Sequence, residues 1–412
     1  MSKKNSKKTV PELRFRGFTD PWEQRQLGDI AERVARRNSN NECTRVLTAS
    51  AESGLVDQQE YFLKRIASPD LTNYYLLRRG DFAYNHSSSA NAPFGIVRRL
   101  DTYDSGCLSS LYIVFRPFSD VDSDFLLQYF ESSAWHNDVS GMVTEGARNH
   151  GLLNISSDAF FTTHCTSPHI PEQRLIGEFF STLDSLIAAA ERQETLLRQK
   201  KQAYLQLIFP CEGETQPRLR FAGFSGDWEQ RQLGEVAEVI GGGTPDSSNP
   251  QYWDGDIDWY TPSEIGGHRY LDESVRKITH EGLNNSSAKL LPKGSILFTS
   301  RASIGLMAFI RRPSSTNQGF QSLVPSKLVD PDFLFAFGPF ITRYAKTHAA
   351  GSTFVEISGK SLGKTPLALP TIPEQRLIGQ FFKTLDSLIA AAEKRTKHLH
   401  ALKGSYLQRM FV

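Results

Sequence analysis

The sequence contains no apolar run that approaches the roughly 18 residues of a membrane-spanning helix. Its basic opening, residues 1–10, lacks the hydrophobic stretch of a signal peptide, so we expect a disordered tail there. A contact of these lysines with a phosphate backbone is the alternative. Because 39% of the residues are hydrophobic and 22% are charged, the composition is typical of a globular protein, and we expect a cytoplasmic location without membrane association.

Cysteine is scarce, with four residues in 412, and no two cysteines form a CxxC pair. This spacing argues against a structural zinc site and against a disulfide framework, and it favours a reducing compartment. The ten histidines form neither an HExxH motif nor another spacing typical of metal ligands. We therefore expect no metal site in this chain.

Complete catalytic motifs are missing as well. Residues 249–252, Asn-Pro-Gln-Tyr, differ in their third position from the Asn-Pro-Pro-Tyr of amino-methyltransferases, and no GxGxxG loop precedes them. Residues 359–365 mimic a phosphate-binding P-loop but are one residue too short. These absences favour a binding protein, because a self-sufficient nuclease or methyltransferase requires a catalytic constellation that the sequence does not contain.

A long internal repeat is present instead. Residues 170–177 recur unchanged as residues 372–379, and residues 182–191 recur as residues 384–393. A second repeat opens each half, where residues 13–18 and 22–28 match residues 219–224 and 228–234. The stretches between these markers, about 35–169 and 241–371, share little sequence. This pattern indicates one duplication of a cassette with constant ends and a variable middle.

Each variable stretch is long enough for a core of its own. Both stretches mix short β-branched or aromatic runs with Gly, Pro and Asn, which predicts two α+β domains. Residues 80–85 match residues 294–299 in character, since each predicts a turn and a short strand, and a polar loop follows in both. Residues 154–156 and 356–358 are the same number of positions apart in the sequence as the two helical segments. We therefore expect the part of each domain that precedes its long helix to be duplicated too.

The constant segments predict two long helices. Pro171 and Pro373 suit the first helical position, where no N–H is needed. Apolar residues then recur with heptad spacing, and because an exposed apolar stripe is unfavourable we expect the helices to pack against each other. The predicted packing residues are Leu183, Ile187, Ala190, Leu197, Tyr204, Leu385, Ile389, Ala392, Leu399 and Tyr406.

Polar residues and glycines interrupt these helices. Glu194 and Lys201 interrupt the stripe of one helix, and Thr396 and Lys403 interrupt that of the other. These polar residues are expected to weaken a long coiled coil while they fix its register. Gly177 and Gly379 each cost about 1 kcal/mol inside a helix relative to Ala. Two explanations remain open for these glycines. Another element can pack so closely that no side chain fits, or each can be an ordinary glycine near the start of a helix.

This arrangement resembles the specificity (S) subunit of type I restriction-modification systems. The resemblance rests on Trp-Glu-Gln-Arg-x-Leu-Gly at residues 22–28 and 228–234 and on Ile-Pro-Glu-Gln-x-x-Ile-Gly at residues 170–177 and 372–379. It implies an α+β fold with two homologous target-recognition domains, two long antiparallel helices that separate them and a pseudo-twofold internal repeat. The expected boundaries are a tail at 1–10, domains at 11–169 and 216–371, and helical spacers at 170–215 and 372–412.

The resemblance also implies a role and partners. Each domain would read one half of a bipartite DNA site, while the helices would set the spacing and dock methyltransferase subunits. The implied partners are double-stranded DNA, two methyltransferase (M) subunits and restriction (R) subunits. S-adenosylmethionine, ATP and magnesium are expected in those subunits, and this chain would be non-catalytic. A non-DNA adaptor that binds protein or RNA through its variable domains is the alternative, and co-purification with a methyltransferase would separate the two hypotheses.

Polar side chains of the variable loops are the candidates for base contacts, because Arg suits guanine and Asn or Gln suits adenine. Residues 35–169 contain 11 basic and 15 acidic residues, against 13 and 11 in residues 241–371. We therefore predict that the chain alone binds DNA poorly and that M subunits supply much of the phosphate contact. The candidates are Asn85, His86, Ser88, Asn91, Arg148, Asn149, His150, Thr299, Ser300, Arg301, Asn317, Gln318, Ser352 and Thr353.

Overall fold

The computed structural model describes residues 10–64, 67–142, 153–211, 213–351 and 355–412. The chain divides into two compact units, called here unit 1 (Met1–Glu191 with Lys394–Val412) and unit 2 (Arg192–Glu393). Each unit contains one globular domain, the first part of one long helix and the last part of the other. The boundaries expected from the sequence lie at the starts of the long helices, whereas the units meet within the helices.

The first half of the chain ends in a long helix. Its strands are β1 (Glu23–Gln26), β2 (Ala31–Arg33), β3 (Leu47–Ser50), β4 (Gly54–Asp57), β5 (Tyr75–Arg78), β6 (Phe82–Asn85), β7 (Ile96–Arg99), β8 (Ser105–Leu108), β9 (Ile113–Pro117) and β10 (His164–Ser167). Its helices are α1 (Leu27–Ile30), α2 (Gln58–Phe62), α3 (Ser123–Glu131), α4 (His136–Met142), α5 (Ser157–Phe161) and α6 (Ile170–Ile208).

The second half has the same general order. Its strands are β11 (Glu229–Gln232), β12 (Ala237–Gly241), β13 (Trp253–Tyr260), β14 (Tyr270–Leu271), β15 (Arg276–Ile278), β16 (Ile296–Phe298), β17 (Met307–Ile310), β18 (Ser314–Thr316), β19 (Gln321–Pro325) and β20 (Pro366–Leu369). Its helices are α7 (Leu233–Val236), α8 (His280–Asn284), α9 (Pro331–Ala336), α10 (Gly338–His348), α11 (Gly359–Leu362) and α12 (Ile372–Met410), with short 3₁₀ turns at Pro250–Tyr252 and Pro262–Glu264. No helix in the described ranges is both long and apolar enough to cross a membrane.

Unit 1 is built around an antiparallel four-stranded sheet in the order β2-β9-β6-β7, with two-stranded ladders β3-β4 and β5-β8 beside it. Its core is rich in aromatic side chains. Phe82 and Phe115, on neighbouring strands, stack with ring centroids 5.3 Å apart, and Tyr84 stacks on Phe160 at 4.4 Å. All four rings are fully buried, so they hold the sheet against the helices that cover it.

Unit 2 has a mixed five-stranded sheet in the order β12-β19-β16-β17-β14 and a three-stranded sheet in the order β15-β13-β18. Its sheets therefore differ from those of unit 1, although both units combine helices and strands. The predicted α+β class is confirmed. The difference lies in the variable stretches, where the two halves share little sequence.

Within each unit, the opening repeat contacts the start of the helical repeat. Strand β1 pairs with β10 in unit 1, and β11 pairs with β20 in unit 2. Arg14 donates two hydrogen bonds to Glu172, both of 2.7 Å, and Arg220 donates the matching pair to Glu374 at 2.8 Å. Both carboxylates lie in the first turn of a long helix, where the helix dipole also favours them, and they are at most 1% exposed. Each buried ion pair therefore joins the opening repeat to the helical repeat.

A glutamine beside each of these carboxylates binds the neighbouring backbone. The Gln173 side chain accepts from the Asp122 N–H at 2.9 Å and donates to the Pro168 carbonyl at 2.8 Å. Gln375 does the same with Asp330 and Pro370, at 2.8 and 2.9 Å. Both side chains are buried, and backbone groups just before α3, α6, α9 and α12 satisfy their hydrogen-bonding atoms. The Glu-Gln of the repeat thus positions a long helix against its own domain.

Gly177 and Gly379 mark close approaches. A β-carbon at Gly177 would lie 2.8 Å from an Asp122 carboxylate oxygen and 2.9 Å from the Phe125 nitrogen, at the start of α3. A β-carbon at Gly379 would lie 2.7 Å from the Phe333 nitrogen, at the start of α9. Because a side-chain atom does not fit at either position, the close approach explains both glycines.

The two long helices pack in antiparallel fashion inside each unit. In unit 1, Phe180 contacts Phe411 and Glu191 contacts His400. Residue numbers thus increase along α6 while those of the partner residues decrease, as expected for antiparallel helices. Unit 2 has the equivalent contacts of Phe382 with Phe209 and of Glu393 with Arg198. Of the predicted packing residues, Leu183, Ile187, Ala190, Leu385, Ile389 and Ala392 are buried, and Leu197, Tyr204, Leu399 and Tyr406 are half-buried.

The two lysines of the apolar stripes form matching ion pairs between the helices. Lys201 contacts Asp386 at 2.5 Å in unit 2, and Lys403 contacts Asp184 at 2.6 Å in unit 1. Lys403 also reaches Glu131 of α3 at 2.5 Å. Burial acts to lower the pKa of Lys403, but the carboxylates of Glu131 and Asp184 outweigh it and raise this pKa above its ordinary value. These pairs specify the register, because a shifted helix would leave buried charges unpaired.

Candidate functional site

Three loops of unit 2 converge beside the ends of its sheets. The Ser300 N–H donates to the Gly319 carbonyl at 2.8 Å, which joins the loop after β16 to the loop before β19. The Gly243 N–H donates to the Thr316 carbonyl at 2.8 Å, which adds the loop after β12. The side chains at this junction, Thr244, Arg301, Asn317 and Gln318, are called here the polar tip.

The glycines of the first loop allow its close approach. A β-carbon at Gly242 would collide with the Asn317 carbonyl oxygen, and one at Gly243 would collide with the Ser287 hydroxyl. Gly242 therefore needs to lack a side chain for the loop to lie against residues 316–317, and Gly243 for it to lie against residues 287–288. Sequence reasoning did not include Thr244 among the candidates, although the run Gly241-Gly242-Gly243 before it could have indicated a close backbone approach.

Within the polar tip, the structure brings together three of the predicted residues. Arg301 and Asn317 are half-buried and Gln318 is exposed. The Asn317 side-chain oxygen accepts from the Gly319 N–H at 2.8 Å, and the Thr244 hydroxyl donates to the Gln318 side-chain oxygen at 2.5 Å. Among the residues that the structure describes, Arg301 makes no ion pair. Its guanidinium therefore remains available to a ligand.

Two of the predicted residues of this loop have internal roles instead. Thr299 and Ser300 are fully buried. The Thr299 hydroxyl donates to the Ser303 carbonyl and accepts from the Leu306 N–H at 2.9 Å, so it closes the turn. The Ser300 hydroxyl donates to Glu356 at 3.2 Å. Both hydroxyls face the interior of the unit, and the base contacts expected of them stay predictions.

Unit 1 presents a smaller set of polar side chains. The Asn85 side-chain oxygen accepts from the Ser87 N–H at 3.1 Å, and Ser88 and Asn91 are exposed. His86 lies 2.7 Å from the Leu153 carbonyl through Nδ1 and 2.7 Å from the Leu111 carbonyl through Nε2. The His86 ring thus joins three segments of unit 1, and the base contact expected of it stays a prediction.

Five candidates lie outside the described residues. These are Arg148, Asn149 and His150 in the first half of the chain and Ser352 and Thr353 in the second half. They stay predictions from sequence.

Asn91 borders a groove of about 910 Å³ in unit 1. The groove lies between the loop after β6 and the two long helices, and its charged lining includes Glu131, Asp184 and Lys403. Burial lowers the pKa of His136, which also lines it. Because carboxylates outnumber the lysine and arginine side chains of this lining, and Lys403 is paired with two of them, the groove is poorly suited to a phosphate backbone.

The arginines of unit 1 are largely used in internal ion pairs. Asp81 is fully buried and accepts from Arg36 and from Arg116, both at 2.6 Å. Arg99 is shared between Asp101 and Asp124, both at 2.7 Å. These cations stabilise the fold, and the acidic excess predicted for this domain is therefore not offset by a basic face.

Unit 2 differs in carrying exposed basic residues next to the polar tip. Helix α10 packs against the loop that contains Arg301, since the Thr342 hydroxyl donates to the Gly305 carbonyl at 3.3 Å. Arg343 and Lys346 on this helix are exposed, and neither forms an ion pair within the described part of the chain. Two exposed cations without an ion pair among the described residues therefore lie on the helix that packs against the Arg301 loop.

Metal and thiol chemistry have little support in the described ranges. No group of three or more His, Cys, Asp or Glu residues there could hold a metal ion. The four cysteines are free, and burial, with a smaller effect of the neighbouring Cys43, raises the pKa of the Cys107 thiol to about 12. The Cys107 thiol donates to the Cys43 carbonyl at 3.0 Å, so it is a buried structural group.

Comparison with known proteins identifies a family for the second half of the chain. Residues 225–401 match the family model described as type I restriction modification DNA specificity domain. This range contains the polar tip and most of α12.

Curated relatives have similar descriptions. The chain is 32% identical over 190 residues to the type I restriction enzyme MjaIX specificity subunit of Methanocaldococcus jannaschii, an alignment that covers 45% of this chain and 44% of the relative. It is 28% identical over 282 residues to the EcoR124I/EcoR124II specificity subunit of Escherichia coli, which covers 65% of each. The alignments thus span about half to two thirds of these relatives.

A solved structure extends the likeness in fold to nearly the whole chain. The crystal structure of a type I restriction-modification system S subunit from M. genitalium superposes with a TM-score of 0.62, at 14% sequence identity. The match covers 98% of this chain and 99% of that one. At this identity the likeness concerns the fold.

Proposed function

We propose that the chain is a type I restriction-modification specificity subunit and thus the DNA-recognition subunit of such a complex. Each unit reads one half of a bipartite DNA site through its variable loops. The chain itself carries no reaction, and methylation and cleavage belong to partner subunits. The observation that carries this proposal is a contrast between two parts of the chain. The opening repeats and the long helices, called here the frame, are duplicated, whereas the loops between them differ.

The frame is duplicated down to individual hydrogen bonds. Arg14 with Glu172 matches Arg220 with Glu374, and Lys403 with Asp184 matches Lys201 with Asp386. The sheets and loops mounted on this frame differ between the units. A single protein that must recognise two different half-sites with one common partner needs this combination, which supports a bipartite and asymmetric target.

The docking surface for methyltransferase subunits is a stripe of exposed leucines on the long helices, called here the leucine stripe. Leu175 and Leu186 in unit 1 are 41% and 43% exposed, and the equivalent Leu377 and Leu388 in unit 2 are 47% and 51% exposed. Exposed leucines at identical positions in both copies fit two copies of the same apolar partner surface. We therefore propose two methyltransferase subunits, one on each unit.

DNA binding depends on these partners. The variable stretch of the first half has more acidic than basic residues, and most of the arginines described there form ion pairs, so this chain alone gains little of the phosphate contact that dominates nucleic-acid affinity. We propose that the methyltransferase subunits supply that contact and that restriction subunits join the same complex. S-adenosylmethionine, ATP and magnesium would be bound by those partners. Tight, sequence-specific binding by the purified chain at moderate salt would contradict this division of roles.

The decisive experiment is a comparison of adenine methylation in the genome of cells with and without this gene. We expect one bipartite motif to lose its methylation when the gene is deleted and to regain it when the gene is restored. If no methylated motif changes, the DNA-recognition role is wrong and a non-DNA adaptor becomes the better hypothesis.

A further inference from the structure

The orientation of the Asn317 amide is fixed by its backbone partner. The Gly319 N–H can only donate, so the side-chain atom that faces it at 2.8 Å is the oxygen. The amide nitrogen of Asn317 therefore points away from the loop with its two N–H donors. This assignment follows from chemistry, because exchanging the two amide atoms would place a donor against a donor.

Gln318 contacts Thr244 at the edge of the same loop. The Thr244 hydroxyl donates to the Gln318 side-chain oxygen at 2.5 Å, and both residues are exposed. With its oxygen used in this bond, Gln318 also presents its NH₂ group outward. Two neighbouring amides thus have their acceptors turned into the protein and their donors turned away from it.

Arg301 completes the group. A β-carbon built on Gly319 would lie 2.9 Å from the Asn317 side-chain oxygen and 3.4 Å from Arg301 Nε, so the two side chains flank the same glycine. A guanidinium is a donor without any acceptor. Arg301, Asn317 and Gln318 therefore form a surface that can donate hydrogen bonds but offers few acceptors.

We infer that unit 2 reads a guanine through this donor surface, an inference that rests on the proposed function. In the major groove guanine presents two acceptors, N7 and O6, whereas adenine presents one acceptor and one donor. Adenine recognition by Asn or Gln uses the oxygen and the nitrogen of one amide together. Asn317 and Gln318 each already use one lone pair of that oxygen within the protein, whereas their NH₂ groups have both donors available, which favours guanine over the adenine expected from residue type.

The neighbouring acceptor agrees with this inference. Glu356 lies beside Arg301 in a short antiparallel bridge and holds the Ser300 hydroxyl. The cytosine of a G·C pair presents an N4 donor in the major groove, which a carboxylate can accept. Donors on one side and a carboxylate beside them complement a G·C pair.

The test uses the assembled methyltransferase complex and duplex oligonucleotides that carry its bipartite site. Asn317→Asp keeps the oxygen that holds the Gly319 N–H and replaces only the NH₂ donor with an acceptor. We expect this variant to bind or methylate the site about 5- to 150-fold less well, the range of one good base contact. Replacing guanine by 7-deazaguanine in the half-site of unit 2 removes N7 and should produce a comparable loss with the unmodified protein.

The two changes together identify the contact. If Asn317 donates to guanine N7, either change alone removes this hydrogen bond. In the Asn317→Asp protein, 7-deazaguanine should therefore cause little further loss of binding or methylation. Gln318→Glu is the second variant, and thermal unfolding of both variants checks that they fold. Asn85→Asp, which has the same kind of backbone bond in unit 1, is the matched control and should alter only the other half-site.

The outcomes separate this inference from the proposed function. Independent, additive losses from 7-deazaguanine and Asn317→Asp, or a half-site of unit 2 without guanine, would overturn the guanine contact and leave the DNA-recognition role intact. Absence of any methylated motif that depends on this gene would overturn the role itself.

Discussion

Gly177 shows how a single residue controls the attachment of a helix to its domain. It lies where α6 touches the start of α3, with the atoms of Asp122 and Phe125 at distances that leave no space for a β-carbon. Gly404 lies in α12 with no neighbouring atom within 4 Å of such a carbon. Two helical glycines in one unit therefore have opposite environments, and only one of them is required by packing.

Substitution by alanine separates the two. Gly177→Ala forces backbone atoms apart, and we expect it to destabilise the protein by about 1–3 kcal/mol despite the better helix propensity of Ala. Gly404→Ala meets no obstacle and should stabilise the protein by about 0.5–1 kcal/mol. Thermal or urea unfolding of both variants measures the difference. Equal effects of the same sign would contradict the close approach.

Residue type in a loop indicates which side chains are polar, and the structure places three of them, Arg301, Asn317 and Gln318, together at the polar tip. Thr299 ends the strand expected before this loop, and its hydroxyl closes a turn inside the unit. Exposure of a small hydroxyl in a loop depends on the partner segment, which sequence pattern alone does not specify.

At the scale of elements, the heptad spacing predicted both long helices and their packing residues, because periodicity and helix-start residues are local properties. The sheets could not be predicted in order or pairing, since strands distant in sequence pair according to tertiary packing. The ion pair of Arg14 with Glu172 joins residues 158 positions apart, so it too had no local signature. Of the four polar residues in the stripes, Lys201 and Lys403 form ion pairs between the helices, whereas Glu194 pairs with Arg198 of its own helix. The carboxylate partners of the lysines became evident only in the structure.

The leucine stripe is a property of the helices that can be tested directly. Leu186→Glu with Leu388→Glu should weaken association with methyltransferase subunits by about tenfold or more, because a charge replaces an apolar contact at the centre of each dock. Leu196→Glu is the control, since Leu196 is 50% exposed but has His398 in place of leucine in the other copy. Pull-down or calorimetry with the methyltransferase measures both. Intact association of the double variant would exclude the leucine stripe as the dock.

At the scale of the whole molecule, α6 and α12 each pass from one unit into the other, so their length should set the distance between half-sites. Seven residues inserted after Glu191 and seven after Glu393 preserve the heptad and leave each unit intact. They add about 10 Å of helix at about 1.5 Å per residue. We therefore expect the spacer of the methylated motif to lengthen by about three base pairs, at about 3.4 Å each.

Sequencing of methylated DNA reads both spacer and half-sites in one experiment. The half-sites should stay unchanged, because the polar tip and the loops of unit 1 are not altered. An insertion in one helix alone is the control, and it should abolish methylation by placing Lys201 or Lys403 out of register. An unchanged spacer with both insertions present would contradict the spacing role.

The composition of unit 1 has a consequence for the order in which the protein is made. Residues 394–412 complete its core, where Phe411 contacts Trp22 and Phe180, and these residues follow all of unit 2 in the chain. Domains generally fold as they leave the ribosome, in order from the N-terminus. Here the first domain to be synthesised is the last to be completed, so its aromatic core remains open on one side until unit 2 has been translated.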